Sequence, residues 1–211
     1  MLQFVTHSFE FSVERLESAR LLVISYAGLL AAKGYLARRS YAIREDHEGR
    51  LEILGIACGP DCLDVATDDR QIEEILRHVD QLSPLKQRVS YEVASGTVDE
   101  QYGHDRPWEH VLLVPDCVHG ISSLRDANGG LIGRYRLELD DELCESLWTW
   151  EVQYECIYNC WLASADYERW AARELGSKSS HLNRRGARLA ERLRQTIGCT
   201  VEYRPHELKD A

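Results

Sequence analysis

A chain of 211 residues with 44% hydrophobic side chains is long enough to bury a core and too apolar for intrinsic disorder. No run approaches the roughly 18 apolar residues of a membrane span. The longest, residues 21–32, is broken by Ser25, Tyr26 and Gly28, and Glu10, Glu14 and Arg15 stand where a secretory leader needs apolar residues, so a cytoplasmic protein with no membrane partner is expected.

Residues 2–11 read as a strand, with Phe4, Phe9 and Phe11 as β-favouring aromatics. Ser12 is placed to cap a helix whose apolar positions run from Val13 to Leu30; Gly28 within it suggests close packing and Gly34 its end. Residues 38–50 suggest an edge strand and turn, and residues 51–57 a further strand. Thr67 or Asp68 would then cap a short helix burying Ile72, Ile75, Leu76 and Val79, stopped at Ser83-Pro84. Beyond Pro84 the pattern turns to strands at residues 88–94, 108–114, 121–124 and 131–139, the last two joined by a hairpin at Asp126-Ala127-Asn128-Gly129-Gly130. Asp140 and Asp141 open a long helix in which Leu143, Leu147, Trp150, Tyr154, Ile157 and Trp161 recur at alternating spacings of four and three, the seam of an α-helix. The expected fold is α+β: a largely antiparallel sheet packed against this long aromatic-rich helix and further helices, with the N-terminal helix beside it. Residues 1–211 are read as a single domain, any sub-domain seam lying near residue 84.

The net charge of −10 is unevenly spread. Residues 1–167 hold 15 Lys/Arg against 29 Asp/Glu, whereas residues 168–194 hold 8 against 3, so an acidic body carries one basic segment. Within that segment, residues 171–185 resemble a bacterial helix-turn-helix: Ala172 stands four residues before the turn glycine Gly176, a polar turn follows, and Leu182 anchors a second helix. Ser177 occupies the position of a usual apolar turn anchor and Gly186 that of a second helix anchor. The resemblance implies that Lys178, Ser179, Ser180 and His181 start a recognition helix whose Arg184, Arg185 and Arg188 neutralise phosphates. A short strand over residues 200–204 then returns the chain to the sheet.

Seven cysteines, an odd number in a reducing compartment, point to buried free thiols and no required cofactor. Cys58/Cys62 and Cys156/Cys160 share a spacing of four and offer a four-thiolate zinc site as the alternative. Acid–base work or a hard metal site could be built from His104, Asp105 and His110 in a loop, and Cys117 with His119 would share a face in an extended segment, though no third group orients that pair as a cysteine hydrolase needs. The preferred expectation is a non-enzymatic bacterial binding or regulatory protein whose basic helical face, residues 169–194, contacts DNA, RNA or an acidic partner. Two alternatives stand beside it: an enzyme using one of those loops, and an acidic interaction or inhibitor protein that occupies a basic partner through residues 1–167; the basic helix could also dock on a second copy in self-association.

Overall fold

Along β1 (Gln3–Glu10) the side chains of Val5, His7 and Phe9 are buried while their neighbours are not, the period-two signature of a strand covered on one face. The computed structural model describes residues 3–46, 48–60, 62–93, 102–103, 107–117, 120–164 and 166–206, which divide into two compact units, Met1–Tyr102 and Gly103–Ala211. In the first unit, β1 is followed by α1 (Val13–Lys33), β2 (Leu36–Glu45), β3 (Arg50–Ala57), α2 (Cys62–Ala66), α3 (Arg70–Gln81) and β4 (Lys86–Val93). The strands form one antiparallel sheet in the order β2-β3-β1-β4, and the β-α-β-β-α-β succession makes this a ferredoxin-like arrangement.

Local chemistry sets the ends of these elements. α1 stops at Gly34, whose φ of 82° lets its N–H reach the Ala31 carbonyl. Ser12 stands at the N-cap of α1 without making a side-chain cap bond. A Cβ added at Gly28 would meet nothing within 4 Å, so the close packing suggested there is absent. The cap of α3 is Asp69 rather than Thr67 or Asp68: its carboxylate accepts from the amides of Gln71 and Ile72. Because β4 pairs with β1 along its whole length, the seam expected near residue 84 falls inside the first unit.

The second unit holds a three-stranded sheet of β5 (His110–Leu113), β6 (Leu124–Asp126) and β7 (Thr200–Tyr203) in the order β6-β5-β7. β5 and β6 are antiparallel; β7 joins β5 in parallel after a crossover through α4 (Asp141–Ala163), α5 (Glu168–Gly176) and α6 (His181–Ile197). The Asp140 carboxylate caps α4 by accepting from the Leu143 amide at 2.7 Å. Leu143, Leu147, Trp150 and Tyr154 are buried on one face of α4, against Val111, Leu113 and Leu124 of its own sheet. The long helix and the N-terminal helix therefore serve separate cores rather than one.

Residues 131–139 do not form the expected strand. Leu131 makes an isolated bridge to Arg125, and Arg134–Leu137 closes into a 3₁₀ turn ending at Glu138 with φ 52°. Arg134 points inward to the carboxylate of Glu151 on α4, 3.1 Å away, and its guanidinium covers the Trp148 ring. That contact breaks the inward–outward alternation a strand would require.

Candidate nucleic-acid interface

α5 and α6 form a helical hairpin, joined through residues 177–180 and packed against α4. The turn begins where the helical Gly176 gives way to Ser177, whose extended φ of −81° and ψ of 120° redirect the chain. Gly176 is thus the last helical residue and not a left-handed turn residue. Ser177 Oγ accepts from the Ser179 amide, and the Ser177 carbonyl accepts from the Ser180 amide. The Ser180 hydroxyl accepts from the Asn183 amide at 3.1 Å and caps α6. α6 therefore begins at His181, leaving Lys178 and Ser179 in the turn.

Asn183 fixes the angle between the two helices from a buried position. Its Nδ2 donates to the carbonyls of Leu175 at 2.8 Å and Ser177 at 2.9 Å, adding a side-chain donor at the end of α5 where intrahelical donors run out. Its Oδ1 accepts from the hydroxyls of Tyr154 on α4, at 3.2 Å, and Tyr203 on β7. Burial pushes the Tyr154 hydroxyl up to about 12 and raises that of Tyr203, so both remain protonated donors. The Tyr203 ring lies across Gly186: a Cβ there would come within 2.6 Å of it. The apolar anchors absent from Ser177 and Gly186 are thus replaced by a polar lock and a ring-to-backbone contact. Trp150 Nε1 adds a bond to the Leu182 carbonyl at 3.2 Å.

With Leu182, Asn183, Gly186, Leu189, Ala190 and Leu193 facing inward, α6 exposes His181, Arg184 and Arg188, at positions i, i+3 and i+7 of one stripe. Arg184 and Arg188 form no ion pair or side-chain hydrogen bond with the described residues, and the same holds for Arg169 and Arg173 on α5 and Lys178 in the turn. Arg185, expected among the phosphate-neutralising residues, instead straps α6 to α4 through Gln153 Oε1 at 2.7 Å and the Ser146 carbonyl at 3.3 Å. Ser180 is buried in its capping role. Further along α6 the cations are paired, Arg192 with Glu142 and Arg194 with Glu191, and the Arg194 guanidinium holds the Glu191 carboxyl down at about 2.

The other candidate sites are not brought together by the described residues. His104, Asp105 and His119 lie outside them. His110 opens β5 with Nε2 3.3 Å from a Glu202 carboxylate oxygen on β7, and Cys117 is buried. Cys58 and Cys62 are buried in the first unit, where burial pushes the Cys62 thiol up to about 12. Cys156 is exposed on α4 and Cys160 partly buried, and among the described residues no three or more His, Cys, Asp or Glu side chains are placed to hold a metal ion. No helix among those residues is long and apolar enough to cross a membrane.

Residues 106–203 match a family described as a domain of unknown function (DUF2310), a stretch lying within the second unit. No curated protein sequence matches the chain. Among solved structures, a putative antibiotic biosynthesis monooxygenase from Deinococcus radiodurans is 13% identical, with a TM-score of 0.40 over 47% of this chain and 97% of its own. A conserved protein from Methanosarcina mazei is 12% identical, with a TM-score of 0.38 over 44% of this chain and 91% of its own. SnoaB, a cofactor-independent oxygenase from Streptomyces nogalater, is 13% identical, with a TM-score of 0.36 over 47% of this chain and 97% of its own. At these scores the likeness carries no argument about activity.

Proposed function

We propose that this is a non-enzymatic binding or regulatory protein that contacts nucleic acid through the α5–α6 hairpin. The observation that carries the reading is the set Arg169, Arg173, Lys178, Arg184 and Arg188: five cations on a locked helical hairpin, none engaged by the described residues of a chain whose net charge is −10. A merely solvated basic face would not need the buried Asn183 lock that holds the turn in one geometry. A polyanion, by contrast, requires several cations presented together. An acidic protein would satisfy the same charge, but an exposed stripe of His181, Arg184 and Arg188 along one helix face matches the regular spacing of charge on a polyanion.

Fluorescence anisotropy with labelled nucleic acids across a salt series tests this. If all five cations meet phosphates, the logarithm of affinity falls with that of salt concentration at a slope of about −4, and Arg184→Glu/Arg188→Glu abolishes binding. A flat salt response, or a double variant that binds as well as the parent, would overturn the reading.

A further inference from the structure

We infer, on the strength of the nucleic-acid reading, that the hairpin takes a single strand, whose bases stack on Tyr167 and Trp170 while its phosphates run along Arg169, Arg173 and Lys178. Among the described residues of the second unit, the exposed large apolar side chains are Leu162, Tyr167 and Trp170, all within residues 162–170. Tyr167 is 62% and Trp170 42% exposed, and neither ring stacks on another ring, lies under a cation or hydrogen-bonds through its polar tip among the described residues. Trp150, Tyr154 and Tyr203 of the same unit, by contrast, pack edge to face and are hydrogen-bonded.

Helical geometry sets the two free rings beside free cations. α5 buries Ala171 and Leu175. At about 100° per residue, Arg173 lies on the opposite side of the helix, with Arg169 about 40° to one side of it and Trp170 about 60° to the other. Tyr167 at the N-cap, Trp170 and Arg173 follow one another at spacings of three, so two rings and a guanidinium lie along one ridge. The carboxylates of α5 lie off that ridge, Glu174 about 100° and Glu168 about 140° round from Arg173. Past the turn there is no carboxylate across residues 178–188, and Lys178, Arg184 and Arg188 continue the run of cations.

Stacking decides between nucleic acids. A face of charge alone would favour a duplex, whose charge is about twice as dense along its axis as that of one strand. A duplex, however, covers its base faces, and a ring reaches them only by unstacking the helix. A single strand offers every base to a ring while its backbone follows the cations. An acidic peptide would meet the cations and leave both rings in water. The features engaged are base and phosphate, which single-stranded DNA and RNA share.

The test compares the full chain, by fluorescence anisotropy at one salt concentration, on labelled single-stranded DNA, single-stranded RNA, the matching DNA duplex and an abasic strand of equal length. The tighter of the two single strands, which identifies DNA or RNA as the source, is expected to bind at least about tenfold better than the duplex and than the abasic strand, although the abasic strand keeps every phosphate. These comparisons need no variant to fold. Tyr167→Leu and Trp170→Leu should each weaken the single strand by about fivefold or more, whereas Trp170→Phe should retain most of the affinity. Arg173→Ala should lower the salt slope by about 0.7. Equal affinity for the abasic strand, tighter binding of the duplex, or undiminished binding in a Tyr167→Leu/Trp170→Leu double variant would overturn this inference while leaving the nucleic-acid reading intact. Failure to bind any of the four at low salt would overturn both.

Discussion

Asn183 concentrates at one buried position the work that apolar anchors share in other helical hairpins, which makes its removal costly. In Asn183→Ala the carbonyls of Leu175 and Ser177 keep only the Tyr154 hydroxyl and the Ser180 amide as donors, and the Tyr203 hydroxyl loses its acceptor inside a space the side chain had filled. Unfolding in urea, followed by tryptophan fluorescence, should show a loss of about 3 kcal/mol, since each stranded buried group costs of order 1–3 kcal/mol and some will find water. Tyr203→Phe removes only one hydroxyl and should cost about 1 kcal/mol. Gly186 gives the complementary case. Glycine to alanine in a helix interior ordinarily gains about 1 kcal/mol, but the new methyl here would press on the Tyr203 ring. Gly186→Ala should instead destabilise by about 1–3 kcal/mol, and in a Tyr203→Ala background the same change should become favourable. A gain in both backgrounds would show that the ring does not press on the helix.

Among the elements, α4 was legible because every residue of its buried seam obeys one helical period, and Asp140 is a cap by residue type and position alone. The 3₁₀ turn at Arg134–Leu137 was not, because its cause is a partner 17 residues away: the buried pair of Arg134 with Glu151, to which the Ser123 hydroxyl also donates. The interface shows the same division. Exposure of Arg184 and Arg188 follows from the spacing of Leu182, Leu189 and Leu193, whereas the roles of Ser177, Asn183 and Gly186 depend on Tyr154 and Tyr203, which no local pattern links to them. Likewise nothing near Arg185 announces Gln153 as its partner. The Arg134–Glu151 pair also makes a prediction for the element it shapes. Glu151→Ala leaves a guanidinium that is 5% exposed without its carboxylate and should destabilise by about 3–5 kcal/mol in urea unfolding. Adding Arg134→Met should restore most of the loss, because the stranded charge, rather than the missing attraction, is the larger cost. An equal loss in the double variant would argue that the pair contributes more than it costs to bury.

At the scale of the whole molecule, the two units carry different chromophores and different titrating groups. All five tryptophans, Trp108, Trp148, Trp150, Trp161 and Trp170, belong to the second unit, so their fluorescence reports on it alone, while far-ultraviolet dichroism reports on both. The first unit buries His7 between Phe9, stacked at 4.2 Å, and Tyr26, whose hydroxyl is 3.2 Å from Nδ1, with Gln87 Nε2 2.9 Å from Nε2. Burial lowers its pKa from 6.5 to about 4. The unfolded chain therefore takes up a proton near pH 6.5 that the folded unit refuses until about pH 4, so the stabilisation is complete above pH 6.5 and is lost as pH falls through that window. At about 1.4 kcal/mol per pH unit the loss across the window is about 3.5 kcal/mol. In the second unit, His206 shifts in the same direction but is only partly buried, and its dependence should be weaker. Lowering the pH from 7 to 4.5 should thus move the dichroism transition in urea to lower concentration well ahead of the fluorescence transition, and His7→Gln should flatten the difference. If the two probes instead trace one coincident transition at both pH values, the units unfold together and the His7 proton destabilises the whole chain.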